Sequence, residues 1–381
     1  MNYQMKNLGS VANYINGRAF KPSEWEETGK PIIRIQNLTN KAAPYNYSAQ
    51  EFEEKYLVHN GDLLFAWSAS LGAHIWRGED AWLNQHIFRV IPCDDVRQDY
   101  LYYYLLQVVG ELYAKTHGSG MVHITKAPFM NTPIPVPSLS EQQRIVARIE
   151  ELFSQLDSGM ETLRKTKQQL AVYRQAVLKE AFSRCPDKVI VKSVCEHVTD
   201  GDHMPPPKSA AGIPFIMISN VENHCINWGN TAYVGRDYYQ NIDSKRKPRK
   251  GDVLYTVTGS FGIPVLVDFE KEFCFQRHIA LLRPNQTIKQ KFLYYAMQEP
   301  SVYSQASKRA TGTAQKTVGL AVLRNIEIPF VKSLEKQEEI IQEIESKMTV
   351  CDSIEQTVDT ALQQSEALRQ SILKKAFEGE I

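Results

Sequence analysis

The densest cluster of charge in the sequence is a run of five basic residues within six positions: Lys245, Arg246, Lys247, Arg249 and Lys250. Lysine and arginine at this density attract phosphate groups, and such contacts position a nucleic acid without reading its sequence. A solvated charged turn is the competing interpretation, because charged loops are common on protein surfaces. The run therefore predicts a phosphate-binding loop, with the solvated turn as its alternative.

A second group of polar side chains surrounds Gly312. Lys308 and Arg309 precede this glycine, and Gln315 and Lys316 follow it. A glycine-bearing loop can approach a ligand closely, and Gln or Lys side chains can pair with the edges of adenine or guanine. The corresponding stretch in the first half of the chain adds four candidates: His117, Ser119, His123 and Lys126.

The other candidate contact residues are polar side chains in loops of both halves. Gln85-His86 and Arg277-His278 occupy matched positions beside apolar residues, where the histidines could equally be structural hydrogen-bonding groups. The rest lie in early loops or in the small polar stretches after two Gly-Asp motifs: Arg18, Lys21, Ser68, Ser70, His203, Lys208 and Ser260.

Familiar catalytic patterns are absent from the sequence. It has no Gly-x-x-x-x-Gly-Lys phosphate loop, no Gly-x-Ser-x-Gly nucleophile elbow and no Asn-Pro-Pro-Tyr-type adenine pocket or glycine-rich cofactor loop of a methyltransferase. The nine histidines include no His-Glu-x-x-His arrangement, and the pair His117 and His123 is a weak metal-site candidate. The sequence therefore offers no recognisable catalytic motif, and a metal site at these histidines is disfavoured.

Composition is that of an ordinary folded protein, with 43% hydrophobic and 23% charged residues. No run approaches the roughly 18 apolar residues needed to span a membrane, and the N-terminus lacks the apolar stretch of a secretion signal. The six cysteines are scattered and form no Cys-x-x-Cys pair. A cytoplasmic protein with reduced thiols is the simplest prediction.

The formal net charge of +1 conceals large differences between segments. Residues 1–138 hold 12 basic and 13 acidic side chains, and residues 139–185 hold 8 and 6. Residues 186–333 hold 19 and 13, whereas residues 334–381 hold 5 and 11. The near-neutral total argues at first against a nucleic-acid binder, but the basic excess in 186–333 restores that possibility.

The chain contains an internal duplication. Gly61-Asp62 recurs as Gly251-Asp252, and Leu139–Ser183 aligns without gaps to Leu334–Glu378. Segments that recur in one fixed order predict two similar globular heads, each followed by a segment of 45 residues.

The heads mix short apolar runs, which predict strands, with amphipathic stretches, which predict helices. Strands are predicted at Pro31–Leu38, Asp62–Ala66, Ile87–Ile91 and Ile134–Val136, and helices at Tyr100–Val109 and Phe292–Met297. The predicted fold class is therefore α+β.

Both 45-residue segments lack proline and repeat apolar residues with alternating spacings of four and three. This 3.5-residue period predicts long helices that pair as a coiled coil, although a helix packed on a domain surface would share part of the pattern. The predicted seam residues are Ile145, Ile149, Leu152, Leu156, Leu163 and Leu170 in the first helix, and Ile340, Ile344, Ile354, Val358, Leu368 and Ile372 in the second. Antiparallel pairing of helices about 67 Å long would relate the heads by an approximate two-fold axis.

Together these features resemble the specificity subunit of type I restriction–modification enzymes. The resemblance covers nearly the whole chain, and its most specific segments are Ile134–Gln142, Ile328–Gln337 and Ile372–Ile381. Asp200–His203 also looks like a recognition block of that family. The first head departs from the pattern, with Asn16–Ala19 at the corresponding place, which affects the assignment of contact residues more than the family.

The resemblance implies four segments: a target recognition domain at 1–138, a spacer helix at 139–185, a second recognition domain at 186–333 and a second spacer helix at 334–381. Each recognition domain would read one half of a split, asymmetric target in double-stranded DNA, and the antiparallel coiled coil would fix the spacing. Two modification (methyltransferase) subunits that bring S-adenosylmethionine, and restriction subunits that use ATP and Mg²⁺, would be the partners. The chain itself would be non-catalytic and carry no cofactor.

Two other functions compete with this reading. A self-contained restriction or methylation enzyme is disfavoured by the missing catalytic motifs. A coiled-coil scaffold whose heads bind proteins rather than DNA remains an alternative. Because the first head is not basic, we expect modification subunits to supply much of the phosphate contact on that side.

Overall fold

A computed structural model describes residues 3–40, 42–114, 126–203, 206–313 and 315–381. The candidate residues His117, Ser119 and His123 lie outside these ranges. The chain divides into a first unit, Met1–Leu163 with Thr360–Ile381, and a second unit, Arg164–Asp359. None of the helices in the described ranges is both long and apolar enough to cross a bilayer.

The first unit combines short strands with helices. Its strands are β1 (Gln4–Asn7), β2 (Ala12–Asn16), β3 (Lys30–Ile33), β4 (Asn46–Ser48), β5 (Leu57–Val58), β6 (Leu63–Ala66), β7 (Gly72–Ile75), β8 (Ala81–Leu83), β9 (Ile87–Pro92) and β10 (Pro133–Val136). Its helices are α1 (Leu8–Val11), α2 (Ile35–Thr39), α3 (Gln98–Ala114), α4 (Lys126–Met130) and the start of α5 (Leu139–Ser183), with 3₁₀ turns at Pro22–Glu24 and Glu54–Tyr56.

Two four-stranded sheets form the body of this unit. One is antiparallel, in the order β2-β9-β6-β7, and the other has the order β4-β3-β8-β5, in which β3 and β8 are parallel. The predicted strands at Asp62–Ala66, Ile87–Ile91 and Ile134–Val136 are confirmed as β6, β9 and β10. The prediction at Pro31–Leu38 is wrong beyond Ile33: the Asn37 side chain accepts the Arg34 N–H at 3.0 Å and starts the short helix α2.

The second unit has a closely matching set of elements. Its strands are β11 (Asp187–Ile190), β12 (Cys195–Asp200), β13 (Ile213–Ile216), β14 (Val221–Glu222), β15 (Cys225–Ile226), β16 (Ala232–Val234), β17 (Val253–Thr256), β18 (Pro264–Leu266), β19 (Cys274–Phe275), β20 (Ile279–Pro284) and β21 (Glu327–Phe330). Its helices are α6 (Val191–Val194), α7 (Arg236–Asn241), α8 (Gln290–Ala296), α9 (Pro300–Arg309), α10 (Leu320–Arg324) and the start of α11 (Leu334–Glu378), with 3₁₀ turns at Ile218–Asn220 and Ser244–Arg246. The predicted helices in α3 and α8 are confirmed.

The strand order confirms the duplication. The sheet β12-β20-β17-β18 repeats the order of β2-β9-β6-β7, and β16-β13-β19 repeats β4-β3-β8. The second unit adds a β14-β15 hairpin and, in the part that the structure describes, has no strand matching β5. Pro248 stands there where the first unit has Val58, and proline has no N–H to give to a sheet.

The two long helices, α5 and α11, coincide with the two aligned 45-residue segments and end slightly before the spacer-segment bounds at 185 and 381. Ion pairs join them at Asp157–Arg369 in the first unit, and at Lys167–Asp359 and Arg174–Asp352, both 2.7 Å long, in the second. Residue numbers rise along one helix as they fall along the other, so the helices are antiparallel within each unit.

Apolar residues of both helices are buried within each unit. The predicted seam residues that are buried are Ile145, Ile149, Leu170, Ile340, Ile344, Val358 and Ile372, and those that are half-buried are Leu152, Leu156 and Leu163. Ile354 and Leu368 are 40% and 50% exposed, whereas Met160 and Cys351 are buried. A straight α-helix drifts about 20° per heptad from a 3.5-residue repeat, which moves some predicted positions to the side of the seam.

A buried glutamine joins the start of each long helix to its own unit. The Gln142 Oε1 atom accepts the Arg97 N–H at 2.8 Å, and its Nε2 donates to the carbonyl oxygens of Asp95 at 2.8 Å and Pro137 at 2.9 Å. Gln337 repeats all three bonds in the second unit, with the partners Lys289, Thr287 and Val331. These bonds fix the direction in which each helix leaves the sheets of its unit.

The C-terminal turns of the two helices complete the apolar cores. Phe377, near the end of α11, packs edge-on against Tyr100 and Tyr104 of α3, with ring centroids 5.2 and 5.0 Å apart. Phe182, near the end of α5, packs against Phe292 of α8 at 5.3 Å in the second unit. The first unit therefore takes its last core residues from the far end of the sequence.

Candidate nucleic-acid interface

Four of the predicted contact residues converge on one concave surface of the second unit. His203 follows β12, Arg277 and His278 form the turn before β20, and Gln315 lies in the loop before α10. The space between them, here called the second-unit cleft, has a volume of about 380 Å³. Its other lining residues are Asp200, Val257, Thr258, Thr317, Val318, Gly319 and Leu320.

Asp200 links this cleft to the basic run. One carboxylate oxygen lies 2.8 Å from His203 Nε2, and the other lies 3.4 Å from Nη2 of Arg246. The neighbouring Thr199 hydroxyl donates to the carbonyl of Lys245 at 3.3 Å. Asp200 was not among the predicted contact residues, although the Asp-Gly-Asp-His block at this place was a signal for it.

The basic run does not present five equivalent cations. Lys245, Arg249 and Lys250 are exposed, whereas Arg246 is half-buried beside Asp200. Lys247 Nζ donates to the carbonyl of Gln240 at 2.9 Å and lies 5.0 Å from the ring centroid of Tyr239. Three of the five predicted phosphate-contact residues, Lys245, Arg249 and Lys250, therefore have side chains exposed to solvent.

A buried ion pair anchors the loop that carries these cations. Arg283 Nη2 lies 2.8 Å from the Asp252 carboxylate and also donates to the carbonyl of Lys247 at 2.9 Å. Asp252 accepts the Arg249 N–H at 2.8 Å. The hydrogen bond with Asp252 raises the pKa of Arg283, so this guanidinium stays charged. The repeated Gly-Asp motif thus serves to hold a loop rather than to contact a ligand directly.

The first unit contains the equivalent ion pair, but the loop that this pair holds does not carry a basic run. Arg89 Nε lies 2.8 Å from the Asp62 carboxylate, and Arg89 Nη1 donates to the carbonyl of Leu57 at 2.9 Å. The His59 N–H donates to Asp62 at 2.9 Å, as Arg249 does to Asp252 in the second unit. The loop held in this way has Lys55 as its one basic residue between 53 and 60.

Arg18 and Lys21 differ in their availability to a ligand. The Arg18 guanidinium is half-buried, donates to Glu24 at 2.7 Å and lies 4.7 and 4.1 Å from the ring centroids of Phe20 and Phe52. Lys21 is exposed; its backbone N–H donates to the Glu24 carboxylate at 2.7 Å, and its carbonyl accepts the Glu24 N–H at 2.9 Å. The Arg18 side chain therefore belongs to a packed cluster, and Lys21 is the more accessible cation.

The matched histidines have different surroundings in the two units. His86 adopts a left-handed φ of 73° and packs against Trp67 at 4.8 Å, while Trp67 Nε1 donates to Asn16 at 3.0 Å. The buried Nδ1 of His86 has no hydrogen-bond partner among the described residues. Burial, with Arg277 beside it, lowers the pKa of His278, so this imidazole is neutral at neutral pH and offers one donor and one acceptor. Gln85 is exposed beside His86.

The remaining candidates are spread over both units. Those exposed to solvent are Ser70, Lys126, Lys208, Ser260, Lys308, Arg309 and Lys316. Lys208 lines a second cavity of about 260 Å³ that shares His203 and Arg277 with the second-unit cleft. Ser68 is only 2% exposed, so its hydroxyl is not available to a ligand.

Comparisons with known proteins agree on one family. The sequence model described as "Type I restriction modification DNA specificity domain" matches residues 1–170 and 192–364. The chain is 28% identical to the type I restriction enzyme EcoBI specificity subunit of Escherichia coli over 98% of this chain and 85% of that protein. It is 23% identical to the MjaVIII specificity subunit of Methanocaldococcus jannaschii over 90% of this chain and 85% of that protein.

Two solved structures share the fold. One, from work on complex assembly and conformational transition of the type I R-M system, has a TM-score of 0.69 at 20% identity and covers 100% of this chain and 98% of its own. The other, the HsdS subunit of Thermoanaerobacter tengcongensis, has a TM-score of 0.54 at 19% identity, with coverage of 100% and 97%.

Proposed function

Because this chain belongs to the family of type I restriction–modification DNA specificity domains, we propose that it is the DNA-reading subunit of such an enzyme. Each unit reads one half of a bipartite, asymmetric double-stranded target. The chain is non-catalytic and binds no cofactor itself; S-adenosylmethionine, ATP and Mg²⁺ are held by the modification and restriction subunits.

One observation carries this proposal: the two units share a backbone plan but differ in the polar side chains at matched positions. Asn16 and Gln85 in the first unit correspond to Asp200 and Arg277 in the second. Equal scaffolds with unequal hydrogen-bonding groups suit the reading of two different base sequences. The exposed cations beside the second-unit cleft supply phosphate contacts that hold the duplex in place.

The basic run gives a direct test of DNA binding. Replacement of Lys245, Arg249 and Lys250 by Ala is expected to weaken binding to all DNA sequences, because these side chains contact phosphates. Each lost phosphate contact lowers the slope of log affinity against log salt by about 1, so the slope falls by about 3. The measurement is a binding titration at several salt concentrations, on the chain assembled with its modification subunits.

A matched variant controls for the loss of charge. Lys188, Lys192 and Lys332 are also exposed in the second unit and do not line the cleft. Their replacement by Ala removes the same charge and should leave the salt slope nearly unchanged. Equal slopes for both triple variants would contradict the assignment, and absence of DNA binding by the wild-type complex would favour the protein-binding scaffold.

The partner-binding part of the proposal is supported by a groove in the first unit. It has a volume of about 580 Å³ and lies between α3, α5 and α11. Tyr102 and Tyr103 stand side by side in it, with ring centroids 5.1 Å apart. Arg369 forms an ion pair with Asp157 and lies 4.4 Å from the ring centroid of Phe153. Paired tyrosines beside arginine are typical of protein-binding surfaces.

The second unit repeats these residues at the corresponding positions. Tyr294 and Tyr295 have ring centroids 5.0 Å apart, and Arg174 lies 2.7 Å from Asp352. The Arg174 side chain also contacts Met348 Sδ at 3.8 Å, where the first unit has Phe153. The same surface in both units suits two copies of one partner, which we assign to the two modification subunits.

Charge reversal in these surfaces should change the number of bound subunits. Asp157→Arg and Asp352→Arg are each expected to leave one modification subunit per chain, and the double variant none, because each places a second cation beside an arginine. The exposed ion pairs contribute about 1 kcal/mol or less, so the fold should persist. Native mass spectrometry counts the subunits, with Glu339→Arg, an exposed change on α11, as control. Two bound subunits in the double variant would refute this assignment.

A further inference from the structure

We propose that Gln85 and Arg277 are matched base-reading residues, Gln85 selecting an adenine and Arg277 a guanine at one position of their respective half-sites. This inference rests on the proposed function. It adds to that function the residue in each unit that reads a base and the base that each one prefers.

Both residues lie in turns held by the same backbone contacts. The Gln85 N–H donates to the carbonyl of Arg18 at 2.8 Å, and the Arg277 N–H donates to the carbonyl of Asp202 at 3.1 Å. In each unit, the turn also forms one parallel β-bridge to the equivalent neighbouring loop of that unit. The strands that follow, β9 and β20, occupy the same position in their sheets. The two side chains therefore start from equivalent points on the two units.

A glycine in the neighbouring loop makes this close approach possible. A Cβ atom on Gly17 would lie 2.1 Å from the carbonyl oxygen of Asn84, and one on Gly201 would lie 2.0 Å from that of Phe275. No other residue could bring the loop so near to the strand end without moving the backbone. A side chain on a turn fixed in this way keeps the orientation that recognition by two hydrogen bonds requires.

Both side chains remain available to bind a ligand. Gln85 and Arg277 are both exposed, and no described residue forms a side-chain hydrogen bond or ion pair with either of them. Arg277 stands at the second-unit cleft beside Thr258, His278 and Gln315. The basic run is linked to the same cleft through Asp200. The cations at one side of the cleft are placed for phosphate contact, and Arg277 within the cleft is placed for base contact.

The pair of residue types favours base reading over phosphate contact. Cations attract phosphate most strongly, whereas Gln85 carries a neutral amide whose contact with a phosphate would be weaker. Arginine and glutamine instead share the ability to make two parallel hydrogen bonds with a purine edge. Arginine pairs with O6 and N7 of guanine, and glutamine pairs with N6 and N7 of adenine. Two half-sites that carry different purines require two such side chains, one at the matched position of each unit.

The test exchanges the two side chains within the complete enzyme. The chain is co-expressed with the modification subunits of the same system, and the methylated adenines in host DNA are mapped to give the target motif. Arg277→Gln is expected to replace a preference for guanine by a preference for adenine at one position of one half-site. The ratio of methylation between the two bases should change by about fivefold to 150-fold. Gln85→Arg is expected to make the opposite change in the other half-site. Arg236→Gln is the matched control, because Arg236 is exposed in the same unit but pairs with Glu272 at 2.9 Å.

The possible outcomes separate this inference from the proposed function. A wild-type motif that is bipartite, together with an unchanged motif for Arg277→Gln and Gln85→Arg, overturns the base assignment and leaves the proposed function standing. Weaker methylation of every sequence by Arg277→Gln, without a change of motif, assigns Arg277 to a phosphate and also overturns it. A wild-type enzyme that methylates no defined motif refutes both.

Discussion

An Asp252→Ala substitution is expected to lower the free energy of unfolding of the second unit by about 3 to 5 kcal/mol. The side chains of Asp252 and Arg283 are only 3% and 10% exposed, so the change leaves a buried guanidinium without its counter-charge. The loop that carries the basic run would also loosen, because Asp252 accepts the Arg249 N–H. Urea unfolding measures the change in the free energy of unfolding, and hydrogen exchange at β17 and β20 reports the loss in the second unit.

The equivalent substitution in the first unit is the matched control. Asp62 and Arg89 are 23% and 19% exposed, so water can solvate Arg89 after Asp62→Ala, and the expected loss is about 1 to 2 kcal/mol. The double variant Asp252→Leu with Arg283→Met should recover much of the stability lost in Asp252→Ala, because it leaves no unpaired charge. Equal losses for Asp252→Ala and Asp62→Ala would contradict the role of burial.

A Phe377→Ala substitution is expected to destabilise the first unit by about 3 to 5 kcal/mol, although residue 377 lies near the end of the sequence. The Phe377 ring is 7% exposed and fills the space against Tyr100 and Tyr104. Its removal leaves a cavity that rigid sheets and helices cannot close. Hydrogen exchange measured by mass spectrometry should show faster exchange in α3 and in the β2-β9-β6-β7 sheet.

Phe182→Ala provides the reciprocal control. Phe182 has the same place in α5 that Phe377 has in α11, and it packs against Phe292 in the second unit. Its removal should accelerate exchange in α8 and in the β12-β20-β17-β18 sheet, with little change in the first unit. Faster exchange in the second unit for Phe377→Ala would show that the core contacts are assigned to the wrong unit.

Much of the architecture could be predicted because it leaves a periodic or recurrent trace in the sequence. The bounds of α5 and α11 followed from the ungapped alignment of the two 45-residue segments, and their helical state followed from the absence of proline and from the apolar period. The duplication followed from recurring segments such as Gly61-Asp62 and Gly251-Asp252. The strand prediction at Pro31–Leu38 failed after Ile33, where one side chain, Asn37, bonds to the backbone of Arg34 and overrides the strand tendency.

The candidate contact residues were predicted less completely. His203, Arg277, His278 and Gln315 do meet in one cleft, although 112 positions separate the first from the last. Asp200 was missed: its contact with His203 is local, but its contact with Arg246 depends on a loop that returns from 46 residues away. Arg18 was selected as a free cation, but its guanidinium is paired with Glu24 and packed against two aromatic rings.

The sequence alone determined the two-fold repetition, the long helices, the absence of familiar catalytic motifs and the basic excess of the second half. Only the tertiary structure decided which cations face solvent, which aspartates anchor loops and which unit receives Phe377. The physical reason is that periodicity and composition are properties of neighbouring residues, whereas burial, ion pairs and ring packing are set by distances between residues far apart along the chain. A charged side chain is available to a ligand only if no other part of the folded chain pairs with it or packs against it.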